Sequence, residues 1–144
     1  MAEVGVPAVV GELRLARLVV VGLGLIGGSF AKGLRDRGQC GEVIGVDLDA
    51  ESCRRAVQLG VVDRCEEDLA AACAGATLIV LAVPILAMEK LLQQLGKLDL
   101  GQAVLTDVGS AKGSILRAAE RCLPQYLGQF VPGHPIAGSE QSGV

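Results

Sequence analysis

The chain has 144 residues, enough for one domain with a substantial core, and 51% hydrophobic against 20% charged residues read as globular and soluble. A count of 13 Lys and Arg against 16 Asp and Glu gives a net charge of −3 with no basic block, so neither nucleic acid nor an anionic membrane is an electrostatically favoured partner. The 5 cysteines form no close ligand pair and stand beside a single histidine, which argues for no metal site and for a reducing, cytoplasmic setting.

Residues Met1 to Arg14 show no periodicity and are expected to form an arm, with residues 1–16 preceding a domain over 17–144. Arg14 and Arg17 before the apolar stretch Leu18 to Ala31 imitate a signal peptide, but glycines punctuate that stretch and it is too short to span a bilayer. The stretch opens as a valine-rich strand from Arg17. It runs straight into Gly22-Leu-Gly24-Leu-Ile-Gly27, a G-x-G-x-x-G spacing, and then into a helix with Ile26, Phe30 and Leu34 on one apolar face.

Each glycine has a physical reason in a dinucleotide site. Gly22 permits the tight turn, Gly24 lets the backbone approach a pyrophosphate, and Gly27 allows the helix to lie close on the strand. Leu25 and Ile26 open that helix, whose unpaired N–H groups and dipole face the phosphates. The second apolar run, Glu42 to Asp47, ends in an acid twenty residues beyond Gly27, where the motif expects the carboxylate that binds a ribose 2′-hydroxyl. Such a carboxylate repels a 2′-phosphate, so NAD is expected over NADP, although Arg54 and Arg55 nearby could soften the preference.

Asp49 is a candidate N-cap for a helix running to Leu59, and Gly60 is its left-handed C-terminal cap. Val61, Val62 and Cys65 suggest a short third strand, and Glu66 to Ala74 a short helix. The run Leu78 to Val83 is apolar throughout, as in a strand buried on both faces, and Pro84 stops it. Ile85 to Leu95 reads as a helix with Met88, Leu91, Leu92 and Leu95 facing the core. A strand from Ala103 to Asp107 and a helix ending near Cys122 follow, before Gln129 to Glu140 close the pattern.

Strands alternating with helices describe an α/β fold, a Rossmann-like open, mostly parallel sheet with helices on both faces. Ligands of such sheets bind beyond the carboxyl ends of the strands, so Gly22, Asp47, Val83, Pro84, Asp107 and His134 are expected to share one crevice. His134 is a candidate base, because a neutral imidazole is available near neutral pH. Its competing reading is a structural residue at a strand end. Ser110 is a candidate helix N-cap as well as a site residue, and Lys112 is equally compatible with a solvated first turn.

Four stretches carry a family resemblance: Gly22-Leu-Gly-Leu-Ile-Gly-Gly-Ser29, Ala82-Val83-Pro84, Thr106-Asp107-Val-Gly-Ser110-x-Lys112, and Gly133-His134-Pro135-Ile-Ala-Gly138-Ser139-Glu140. Over residues 17 to 144 the sequence resembles the prephenate and arogenate dehydrogenases of tyrosine biosynthesis. The resemblance implies oxidative decarboxylation of prephenate or arogenate with NAD, giving 4-hydroxyphenylpyruvate or tyrosine. It implies that His134 takes the proton of the substrate hydroxyl as hydride leaves, and that Ser110 hydrogen-bonds beside the reacting atoms. It also implies a helical dimerisation domain that would follow Val144 and make a homodimer of the full-length protein. Two other readings stay open on sequence: a non-catalytic dinucleotide-binding module, and another nicotinamide-dependent reductase of the same nucleotide fold.

Overall fold

The computed structural model describes residues 15–38, 40–108 and 112–132, with the backbone alone described for Leu25, Ile26 and residues 112–114. The expected site residues Ser110 and His134 lie outside the described residues. The strands are β1 (Leu15–Val21), β2 (Cys40–Val46), β3 (Arg64–Cys65), β4 (Leu78–Leu81), β5 (Val104–Asp107) and β6 (Phe130–Pro132). The helices are α1 (Leu25–Asp36), α2 (Ala50–Gln58), α3 (Leu69–Cys73), α4 (Ile85–Gly96) and α5 (Lys112–Cys122), and a 3-10 turn covers Pro124–Gln129.

All six strands are parallel, in the order β3-β2-β1-β4-β5-β6. That is the doubly wound order of dinucleotide-binding sheets, in which the connections reverse direction beside β1. Alternation along the strands sends side chains to two cores. Val19, Val21, Ile79, Leu81 and Leu105 face α3, α4 and α5, whereas Leu18, Val20, Val43 and Val80 face α1 and α2. A strand buried on both faces needs apolar residues at every position, which is why the central runs read without alternation.

The α4 stripe is placed as its spacing predicts, with Met88, Leu91, Leu92 and Leu95 all buried against the sheet. On α1, Phe30 and Leu34 are half-buried against the opposite core. Asp49 caps α2 by accepting from the Glu51 N–H, and Gly60 beyond the helix has φ +73°, the left-handed geometry that glycine tolerates. Leu92 is fully buried, so Leu92→Ala is expected to lower stability by about 2–5 kcal/mol through lost transfer energy and the cavity left behind. Urea denaturation followed by circular dichroism measures this as a lower midpoint at unchanged slope.

Several boundaries differ from the sequence reading. β1 begins at Leu15, because Leu15 is buried and pairs with Cys40, and β2 accordingly begins at Cys40, ahead of the apolar run from Glu42. Val61 and Val62 are core residues without being strand: the N–H of Val61 turns back to the Ala56 carbonyl at 2.9 Å, and β3 begins only at Arg64. The helix expected from Glu66 is confined to Leu69–Cys73, because Asp68 caps it by accepting from the Ala70 N–H. The 3-10 turn at Pro124 is an addition: proline fixes its first residue, and the Tyr126 hydroxyl receives the Leu100 N–H at 3.1 Å while donating to the Leu98 carbonyl.

Candidate functional site

Register brings the strand ends to one line, since Val21 lies opposite Val46 and Leu81, Leu81 opposite Asp107, and Asp107 opposite Pro132. The ladder then runs one residue further: the Gly22 N–H donates to the Val46 carbonyl at 2.8 Å, and the Ala82 N–H donates to the Val21 carbonyl at 2.8 Å. Gly22 and Ala82 therefore sit side by side where the sheet changes direction. An open cleft of about 1340 Å³ begins there, bordered at this end by Gly22, Gly24, Asp47, Leu48, Val83 and Pro84.

The three glycines are required for three separate reasons. Gly22 has φ +100°, and a Cβ on it would stand 2.5 Å from the Ala82 carbonyl oxygen, so it allows both the turn and the close passage of the chain leaving β4. A Cβ on Gly27 would stand 2.0 Å from the Gly22 carbonyl oxygen, which is the close contact of helix on strand. Gly24 differs from both: it caps α1 with φ −74°, and a Cβ on it would meet nothing within 4 Å. The space in front of Gly24 is thus empty of protein and lies at a helix N-terminus, the arrangement that suits a phosphate. Leu25 and Ile26 form the first turn of that helix.

Asp47 lies one residue past β2 and is tied to the glycine turn. Its Oδ2 accepts from the Leu23 N–H at 2.7 Å and its Oδ1 from the Asp49 N–H at 2.8 Å. These bonds fix the carboxylate at the cleft wall while leaving lone pairs for a hydroxyl. The Asp49 carboxyl beside it is held below its ordinary range, first by the Ser52 hydroxyl donating to it. Arg54 is paired with Glu51. That pairing occupies one of the two arginines that could have favoured a 2′-phosphate.

Asp107, at the end of β5, is 1% exposed, and its backbone pairs with Leu81 and Pro132. Ser110 follows Asp107 by three residues, and His134 follows the end of β6 by two, both outside the described residues. Sequence reasoning missed Leu23, whose side chain turns down into the core over Gly45; a Cβ on Gly45 would stand 2.7 Å from Leu23 Cδ1. The signal was a lone glycine inside a strand, which marks a close approach. Also missed was Leu48, wholly exposed at the rim next to Asp47.

Two of the cysteines are held as thiols. Burial, with the Cys53 thiol beside it, pushes Cys65 up to about 12, and burial alone pushes Cys73 up to about 11, so both stay protonated at neutral pH. Among the described residues no group of three or more His, Cys, Asp or Glu is arranged to hold a metal, and no helix is long and apolar enough to cross a membrane.

The family model for "Prephenate dehydrogenase, nucleotide-binding domain" matches residues 30–144. The chain belongs to the prephenate dehydrogenase family. Its match to the prephenate dehydrogenase of Bacillus subtilis (strain 168) is 35% identical over 128 residues, covering 88% of this chain and 34% of that protein. The crystal structure of the A. aeolicus prephenate dehydrogenase in complex with hydroxyphenyl propionate and NAD+ superimposes with a TM-score of 0.77 at 35% identity, covering 88% of this chain and 44% of that one. The Synechocystis arogenate dehydrogenase structure gives a TM-score of 0.70 at 38% identity over 85% of this chain and 41% of that one. The chain spans about a third of the length of its curated relatives in the prephenate dehydrogenase family, and it corresponds to their nucleotide-binding domain.

Proposed function

We propose that this chain is the NAD-binding domain of a dehydrogenase that oxidatively decarboxylates prephenate or arogenate to 4-hydroxyphenylpyruvate or tyrosine. The observation that carries the reading is the open space before Gly24 at a helix N-terminus, with Asp47 fixed beside it where the strand order reverses. In this reading the N–H groups of the α1 turn, opened by Leu25 and Ile26, hold the pyrophosphate and Asp47 accepts from the adenosine ribose. Leu48 and Val83 flank the adenine, and Pro84 borders the path toward the nicotinamide. NAD+ supplies a hydride acceptor.

The chain's own residues then handle the proton. His134 accepts a hydrogen bond from the substrate hydroxyl and takes its proton as the ring is oxidised, and Ser110 holds that hydroxyl in place. Loss of carbon dioxide makes the ring aromatic and drives the step. The motif Gly133-His134-Pro135 and the relatives' names support this assignment, and the whole activity belongs to a longer, homodimeric, cytoplasmic protein containing this domain.

The test is a calorimetric titration of the chain with NAD+ and NADP+. Asp47 predicts tighter binding of NAD+, because a 2′-phosphate would meet a carboxylate already fixed at the wall. Equal or tighter binding of NADP+ would show that Arg55 outweighs Asp47.

A further inference from the structure

We propose that Cys53 and Cys65 form a peroxide-sensitive dithiol behind Asp47, and that closing it to a disulfide weakens coenzyme binding. The effect on the coenzyme rests on the NAD reading, whereas the dithiol itself rests on the fold alone.

The two cysteines come from different elements and are brought together by the sheet. Cys65 ends β3 and pairs in register with Gly45 of β2. Its sulfur leans over that glycine, since a Cβ on Gly45 would stand 3.3 Å from Cys65 Sγ. Cys53 lies one turn into α2, which packs on β3, and its thiol donates to the Asp47 carbonyl at 3.7 Å. Gly45 and Asp47 are close neighbours in sequence, and both cysteine side chains pack on the core that contains Leu23 and Val43. There the Cys53 thiol is within hydrogen-bonding reach of Cys65. Both cysteines are free and half-buried, so a small oxidant reaches them.

Two links join this pair to the coenzyme site. Cys53 holds the Asp47 carbonyl, and Leu23, which shares the space over Gly45 with Cys65, donates its N–H to the Asp47 carboxylate at 2.7 Å. A bond between the sulfurs draws Cys53 Sγ away from the Asp47 carbonyl and crowds Leu23. Asp47 then leaves the position at which it accepts from a ribose hydroxyl.

The chemistry balances with a peroxide as the oxidant. Burial keeps Cys65 protonated, so the first step falls to Cys53. The Cys53 thiolate takes one peroxide oxygen to become a sulfenic acid, and the hydroxide released combines with the thiol's proton as water. The Cys65 sulfur then attacks Cys53 Sγ: the S–S bond forms, the S–O bond breaks, and the hydroxyl leaves with the Cys65 proton as a second water. Two thiols and one peroxide thus give one disulfide and two waters, and a thiol reductant reverses the change.

The experiment treats the chain, and separately Cys53→Ser and Cys65→Ser, with hydrogen peroxide, followed by peptide mass mapping and calorimetric titration with NAD+. In the unmodified chain a Cys53–Cys65 linkage is expected, with NAD+ affinity lowered by about tenfold, and dithiothreitol restores both. Each serine variant is expected to keep its own NAD+ affinity through the treatment. Absence of that linkage overturns the proposal, as does a linked chain, still folded by circular dichroism, whose NAD+ affinity is unchanged. A linked chain that has lost its fold, or an equal loss of affinity in either serine variant, overturns it too. Failure of the reduced chain to bind NAD+ overturns the coenzyme reading instead, while the linkage is still read by mass.

Discussion

Gly24→Val is expected to abolish NAD+ binding and leave the domain folded. The two halves of that statement rest on the same geometry. Gly24 has φ −74°, which any residue adopts, and a Cβ there meets nothing within 4 Å, so a side chain can leave the backbone at this position without a clash at its first atom. It enters the space where the pyrophosphate would stand against the N-terminus of α1. Neighbouring glycines give the contrast: a Cβ on Gly22 or Gly27 would collide with backbone at 2.5 or 2.0 Å, so substitutions there break the turn itself. Circular dichroism and cofactor titration separate the effects. A folded Gly24→Val protein with unchanged NAD+ affinity would remove the glycine turn from the site.

The second large effect is at His134, in a longer version of the protein that turns over substrate. His134→Asn is expected to keep cofactor binding, because an imidazole two residues past β6 is not a phosphate ligand in this account. Turnover of prephenate or arogenate, followed by NAD+ reduction, is expected to fall by about 10²–10⁴-fold, the range for loss of a general base. The sign of the pH effect follows from the role: a base must be neutral, so the rate of the unmodified enzyme rises with pH as the imidazole loses its proton, near neutrality for an unperturbed histidine. That inflection should disappear in the variant. Near-full turnover with the inflection intact would make His134 a strand-end residue only.

The sheet was legible because its central strands are buried on both faces, and double burial writes itself as the unbroken runs Leu18 to Val21 and Leu78 to Leu81. Helix α4 was legible because a one-sided helix repeats its apolar residues at 3 and 4, as Met88, Leu91, Leu92 and Leu95 do. What the sequence hid were the features decided by contacts between distant segments. Cys40 to Glu42 join β2 because Leu15 and Arg17 are there to pair with them, and Val61 and Val62 are buried by tertiary packing while their backbone turns back to α2. Gly22, Asp47 and Val83, singled out by spacing and strand ends, border one cleft. Asp107 is the last residue of β5 and buried, whereas Asp47 lies one residue past β2 and borders the cleft, and spacing along one chain carries no sign of that difference.

Nitrogen-15 spectra of the labelled chain titrated with NAD+ test whether the cleft at the sheet's carboxyl edge is the coenzyme site. The amides of Gly22, Leu23, Gly24, Asp47, Leu48 and Val83 should shift together with one saturation curve, while those of Gly41 and Thr77, at the opposite ends of the strands, stay in place. Shifts confined to that opposite edge, or none at all with NAD+ in excess, would contradict the account.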